Sequence, residues 1–258
     1  MSKPEQRVID DLIILGRAVP ETIRNGRTTI CTAGYSPSLG FVRIYPTKHT
    51  SPLTQWSIVK VPVERDPRDT RRESWKIQGS RSEWDRLDEK IEPIDTMRRE
   101  NRLNLIANLA ENCVRNVNDE KRSLGIVKPI IEECYFSETA DYDPSIQTTL
   151  FGPPPPKSKK QYPQIPKIRF RCSNCQAEKP HDMTVLEWGF YEWFRKNPDN
   201  LEQVWENALL NSPKHEIFFL VGNILRYRNA FLIISVLRLS KGSVSKSIIP
   251  LKKILNSS

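Results

Sequence analysis

Proline constrains this chain more than any other residue. Twenty of the 258 residues are proline against ten glycines, and seven of those prolines lie within residues 139–166. That ratio points to ordered turns, strand edges and at least one extended connector rather than to a Gly/Ser tether. Pro153 to Pro156 stand in sequence, favouring an extended polyproline conformation without internal hydrogen bonds, and Lys157, Lys159 and Lys160 follow at once. The reading is a stiff basic connector at 139–166, separating a unit at 1–138 from one at 167–258.

On either side the chain can bury a core. Residues 28–33, 40–45 and 56–64 cluster β-branched and aromatic side chains between turn signals such as Asn25-Gly26 and Pro37-Ser38, and predict three strands of one sheet. Ser80 and Glu83 have capping-box spacing ahead of Trp84, Leu87 and Ile91, predicting a helix over 81–90. Leu103, Ile106, Ala110, Cys113 and Val117 recur at helical spacing and predict one longer helix over 97–117, with Cys113 as a core thiol. A strand is expected at 130–136. Beyond the connector, strands are expected at 167–171, 216–222 and 231–237, and helices at 184–196 and 201–210. No internal repeat at a fixed period is visible. The apolar runs at 217–225 and 230–237 are too short to span a bilayer, and no secretory signal opens the chain, so a cytoplasmic protein without membrane contact is expected.

Formal net charge is +9. Residues 1–150 hold 23 basic and 23 acidic side chains, while residues 151–258 hold 17 and 8, which lays the whole excess on the C-terminal part. A concentrated positive field attracts polyanions, so nucleic acid is the first partner to consider. On the segment 40–46, Arg43 and Tyr45 share one strand face and Val42 and Ile44 the other. Cationic and aromatic side chains side by side suit a single strand, through phosphate pairing and base stacking. In residues 65–76, Arg68, Arg71, Arg72 and Lys76 could meet phosphates while Trp75 stacks, or Asp66, Asp69 and Glu73 could hold those arginines in salt bridges. Arg169 and Arg171, with Lys157, Lys159 and Lys160, extend the candidate surface.

Five cysteines, an odd number in a chain of ordinary size, favour reduced thiols or metal ligands over a disulfide framework. Cys172-x-x-Cys175 with His181 six residues on is zinc-ligand spacing of the knuckle type. Cys134, His215, Glu187 or a water could complete the set, and zinc would be structural. An open fourth position with Asp182 or Glu187 as base would make a metal-dependent hydrolase or nuclease instead. The chain has no nucleophile elbow, phosphate loop, dinucleotide fingerprint or His-Glu-x-x-His helix. Gln147-x-x-Leu150-Phe151 resembles the peptide by which bacterial replication and repair proteins dock on the sliding clamp, the basis of a third reading as a protein adaptor.

Ile30-Cys31-Thr32-Ala33-Gly34, the 40–46 segment, Trp56, and Arg68-Asp69-x-Arg71-x-Glu73-Ser74, joined by Cys172, Cys175, His181 and Glu187-Trp188, resemble the dual-OB-containing domain of prokaryotic conflict-system and mobile-element proteins. The resemblance implies OB-type modules that bind nucleic acid beside a separate effector protein in antiviral or anti-plasmid defence. The combined expectation is an α+β chain of two β-rich, OB-like domains with inserted helices, the second holding zinc, acting without catalysis.

Overall fold

The computed structural model describes residues 4–23, 27–79, 81–145, 156–175 and 177–241. Its first half is a closed five-stranded barrel. β1 (Gln6–Arg17), β3 (Thr28–Ser36), β4 (Gly40–Thr47), β5 (Ser57–Glu64) and β6 (Ser74–Ile77) pair in the order β1-β3-β4-β6-β5, and β5 returns to β1. All these pairs are antiparallel except β4 with β6. β2 (Glu21–Thr22) extends β3, and β7 (Glu92–Thr96) extends β5 after a 3-10 helix at Arg81–Lys90. Sequence reading finds β3 to β5; it misses β1, β6 and β7.

The second half repeats that connectivity. β9 (Leu124–Val127) and β10 (Pro129–Glu138) act as one long bent strand, pairing respectively with β13 (His215–Asn223) and β11 (Gln164–Cys172). β11 pairs with β12 (His181–Thr184), and β13 with β14 (Phe231–Ser240). A parallel bridge between Val185 and Ile233 closes the ring. Numbering each set of five in chain order gives 1-2-3-5-4-1 in both barrels, each with strands 3 and 5 parallel. The likeness lies in topology rather than in a periodic sequence, which is why inspection for repeats does not find it.

Pairing moves the domain boundary. Residues 124–138, assigned by the proline cluster to the first unit, are hydrogen-bonded into the second barrel. Glu138 pairs with Gln164, so residues 139–163 lie in sequence between two neighbouring strands of one sheet rather than between two domains. Tyr162 in that segment is 5% exposed and packs in the second core. Pro153, Pro154 and Pro155 and the Gln147–Phe151 peptide lie outside the described residues, as do Asn25-Gly26, Ser80 and the chain beyond 241.

The long helix expected at 97–117 is two. α1 (Arg99–Leu109) stops where Ala110 turns extended, β8 (Ala110–Glu111) pairs with β9, and α2 (Val114–Asp119) starts with Cys113 as its N-cap. The backbone break lifts Cys113 out of a helix face. α3 (Trp188–Lys196) and α4 (Gln203–Asn207) lie between the third and fourth strands of the second barrel. Among the described residues no helix is long and apolar enough to cross a membrane.

Three buried clusters explain the continuous apolar runs. In β1, Leu12 and Ile14 point into the first barrel, whereas Ile13 and Leu15 point into a cluster shared by both barrels. In β13, Phe219 and Val221 fill the second barrel while Phe218 and Leu220 join the shared cluster. Successive side chains leave opposite faces of a strand; a strand buried on both faces therefore reads as unbroken hydrophobic sequence. α1 adds Leu103, Leu105 and Ile106 to the shared cluster. Gly16 belongs to this seam, since a Cβ there would lie 3.0 Å from Ser235 Oγ and closer still to that residue's Cβ. Only glycine lets the two barrel backbones approach so closely.

Candidate metal centre and inter-barrel cavity

Cys113, Cys172, Cys175 and His181 bring their ligand atoms within 4.8 Å of one another. Cys113 Sγ is 3.1 Å from Cys175 Sγ and 3.5 Å from His181 Nε2, and Cys175 Sγ is 3.3 Å from the same nitrogen. Three elements deliver them: the cap of α2, the turn after β11 and the start of β12. In that turn the Cys175 amide donates to the Cys172 carbonyl at 3.1 Å, which sets both sulfurs on one side. The amides of Arg115 and Ala177 donate to Cys113 Sγ and Cys175 Sγ, each at 3.4 Å. Amides aimed at sulfur stabilise thiolates.

These residues fit a metal ion. A tetrahedral zinc with bonds of about 2.3 Å to sulfur separates its ligands by about 3.8 Å, so the cluster needs only a small expansion. Burial pushes the Cys172 thiol up to about 12 and, as the main cause, also raises Cys113. Burial opposes ionisation of Cys175, but the Cys113 sulfur and the amides of Ala177 and Cys172 bring its pKa below the usual thiol value. His181 is lowered by burial and by Arg115 and Arg171, which keeps the imidazole neutral and able to ligate.

Sequence reading supplies Cys172, Cys175 and His181 but not the fourth ligand. Cys134 lies on β10 opposite Ile168 with its thiol pushed by burial to about 11. His215 Nδ1 is 2.9 Å from Ser212 Oγ. Glu187 accepts from the Val236 amide at 2.5 Å and pairs with Arg238 at 2.7 Å. Asp182 accepts from Tyr135 and pairs with Lys167 at 3.1 Å. Cys113 takes the position, 59 residues upstream of the Cys-x-x-Cys pair. Its helical spacing disguised it; the signal available was its surplus among five cysteines.

Between the barrels lies a cavity of about 950 Å³. β3 and β4 of the first barrel contribute Cys31, Arg43 and Tyr45 to its wall, the 66–76 segment adds Arg68, Arg71 and Lys76, and the β13–β14 hairpin closes the far side with Asn223 and Leu225. Trp84 also lines it, with the Arg27 guanidinium 5.6 Å from its ring centroid. Arg43 and Tyr45 share this wall, while Val42 and Ile44 point into the barrel core.

The candidate nucleic-acid residues thus have unequal positions. Arg43 is 5% exposed and donates to Ser123 O at 2.9 Å, because the second barrel covers its strand face. Arg71, 8% exposed, pairs with Asp69 at 2.6 Å and donates to Asn223 O. Trp75 is 2% exposed inside the first barrel, with Arg65 3.6 Å from its ring centroid, and has no face left for a base. This corrects the picture of residues 65–76 as an open binding loop: its end forms β6 and closes the barrel. Arg68 reaches solvent and pairs with Asp66 at 2.8 Å, Arg72 lies 3.5 Å from Glu73, and Lys76 pairs with Glu64 at 2.7 Å. Tyr45 is half-buried, its oxygen accepting from Thr29 at 3.2 Å.

Three of the five candidate basic residues on the second barrel pair with its own acids. Arg169 pairs with Glu133 at 2.5 Å, Arg171 with Glu132 at 2.9 Å and Lys160 with Asp141 at 2.7 Å. Lys157 lies 5.8 Å from the Tyr162 ring centroid, and Lys159 sits half-buried in a 3-10 turn. Counted by barrel, residues 4–123 carry +3 and residues 124–241 carry +2. Of the +9 behind residue 150, residues 242–258 carry +3, and the +6 of residues 151–241 falls to +2 once residues 124–150, with the acids of β10 and of the segment after it, are counted with their own barrel.

Residues 109–253 match the family model described as Domain of unknown function (DUF8757). The chain belongs to this family. Residues 9–108 match a second model, Domain of unknown function (DUF8758). The two matches meet at the end of α1, between the barrels. All four residues of the metal cluster fall within the DUF8757 part, and the cavity draws on both. No curated protein matches the chain.

Proposed function

We propose that this chain is a non-catalytic nucleic-acid-binding protein built of two OB-type barrels, the second held by a structural zinc ion, and that it works beside a separate effector. The observation that carries the reading is the shared 1-2-3-5-4-1 strand order, with strands 3 and 5 parallel. OB barrels bind oligonucleotides chiefly on their second and third strands. In the first barrel those are β3 and β4, the strands that bring Cys31, Arg43 and Tyr45 to the cavity. The resemblance to dual-OB proteins supplies the setting, a prokaryotic defence complex.

Zinc would be held by Cys113, Cys172, Cys175 and His181. Four protein ligands close a tetrahedral site, the arrangement of structural rather than catalytic zinc. Bound there, the ion would supply folding free energy by tying the start of α2 to the β11–β12 turn. The two carboxylates considered for a hydrolase, Asp182 and Glu187, are engaged by Lys167 and Arg238.

Incubating the zinc-loaded protein with labelled single-stranded DNA and RNA, then running native and denaturing gels, tests the reading. The expected result is a retarded strand of unchanged length. Cleavage that disappears in Asp182→Asn or Glu187→Gln would replace it with the hydrolase reading.

A further inference from the structure

We infer that the inter-barrel cavity is a nucleotide site: the base seats against Tyr45 and the apolar β13–β14 wall, and the phosphate lies toward Arg68. The inference rests on the nucleic-acid reading and narrows it to one place and one unit of ligand.

Two buried polar atoms at this cavity lack a partner among the described residues. Arg43 is 5% exposed; its terminal nitrogens reach Cys31 Sγ at 3.4 Å and Ser123 O at 2.9 Å, leaving Nε–H without an acceptor. Asn223 is 6% exposed; its Nδ2 donates to Arg228 O at 2.9 Å, leaving Oδ1 without a donor. A carbonyl partner accepts only, so the Asn223 amide orientation is fixed by Arg228 O. The two residues meet at one carbonyl, Ser123 O, which accepts from Arg43 Nη2 at 2.9 Å and from the Asn223 amide at 3.0 Å. Buried polar groups are rarely left unpaired. A donor and an acceptor on two residues that line one cavity are what the hydrogen-bonding edge of a nucleobase complements.

The rest of the wall matches the rest of a nucleotide. Tyr45, Leu186, Leu225, Leu232 and Ile234 give a largely apolar surface for a flat ring. Five cationic side chains border the cavity against three acidic ones, Glu21, Asp66 and Asp69. Arg68 has a side chain 73% exposed, reaching solvent from the wall, and can turn from Asp66 to a phosphate. A volume of about 950 Å³ lies within the usual range for small-ligand pockets.

The ligand chemistry has two sources, a free mononucleotide or one unstacked nucleotide of a strand. Calorimetry on the full-length zinc-loaded chain distinguishes them, using adenosine and uridine 5′-monophosphates, inorganic phosphate and a 12-nucleotide oligouridylate. The variants are Leu225→Trp, which blocks the cavity from the exposed hairpin, and Arg43→Met, which removes the donor; thermal melting checks that each folds. A mononucleotide binding at least about tenfold more tightly than phosphate, and weakened about tenfold by either variant, supports a free-nucleotide site. Oligouridylate binding weakened to the same degree by Leu225→Trp, with mononucleotides weak, supports a strand nucleotide. Binding of the strand unaffected by Leu225→Trp, with no mononucleotide affinity, overturns the cavity assignment and leaves the nucleic-acid reading standing. No binding of any probe overturns both.

Discussion

Removing metal from the purified protein is expected to unfold the second barrel while the first stays folded. Cys113, Cys172, Cys175 and His181 join the α2 cap to the β11–β12 turn, and the core behind them includes Cys113, Val114, Phe170 and Cys172. Without the ion, two buried thiols must keep their protons, and the α2 cap is held to that turn by the bond from Asn174 Nδ2 to Asn112 Oδ1 at 3.2 Å and by the apolar core. The as-purified protein should contain about one zinc per chain, and Cys113→Ser should lower that content as strongly as Cys175→Ser. Zinc affinity should fall on acidification from neutral pH, because protons compete for the thiolates. The pH at which zinc leaves is set mainly by Cys113 and Cys172, whose thiols burial raises, and less by His181, whose lowered pKa keeps it neutral further into acid. Elemental analysis with far-ultraviolet dichroism during chelation measures all of this. Full zinc content in Cys113→Ser would remove that residue from the site.

The second large effect concerns the seam. Glu73 is 5% exposed and its carboxylate accepts both the Ser123 amide at 3.0 Å and the Ser123 hydroxyl at 2.9 Å, while Ser123 O accepts from Arg43. These contacts join β6 and β4 of the first barrel to the residue preceding β9 of the second. Glu73→Ala leaves two buried donors, the Ser123 amide and hydroxyl, unpaired and removes the ion-pair partner of Arg72. A loss of about 3 kcal/mol is expected, with a fall in Tm of about 5–10 °C. Glu73→Gln, which preserves shape and one acceptor, should cost less than half of that. Denaturant titration measures the stability change, and limited proteolysis should show faster cutting between residues 97 and 123 in Glu73→Ala. An unchanged Tm in Glu73→Ala would mean the seam is held by its apolar cluster alone.

Local pattern revealed the strands best where one short run is bounded by turns, as in β3, β4, β13 and β14. Burial on both faces removes alternation from β13 as from β1, yet only β1 escaped notice. β1 has the sequence of a buried strand, but its acids and its place near the chain start disguised it. β6 was hidden because Asp66, Asp69 and Glu73 made residues 65–76 resemble a solvated loop, although two Asp-x-Arg turns fold those charges against one another. Proline content misplaced the boundary, since a proline-rich segment can lie between two strands of one sheet as readily as between two domains. For the metal cluster, spacing exposed three ligands close in sequence and could not expose Cys113, which only the fold brings near. For the cavity, the strand alternation at Arg43 and Tyr45 was legible, whereas their covering by the β13–β14 hairpin depends on how two barrels pack.

Fluorescence anisotropy of an end-labelled 12-nucleotide single strand, titrated with the zinc-loaded protein at increasing salt, tests the nucleic-acid reading most directly. The account predicts saturable binding at low salt that weakens with a log–log slope of about −1.4, as for two phosphate contacts on a single strand. Unchanged anisotropy at low salt, for DNA and RNA alike, would contradict it.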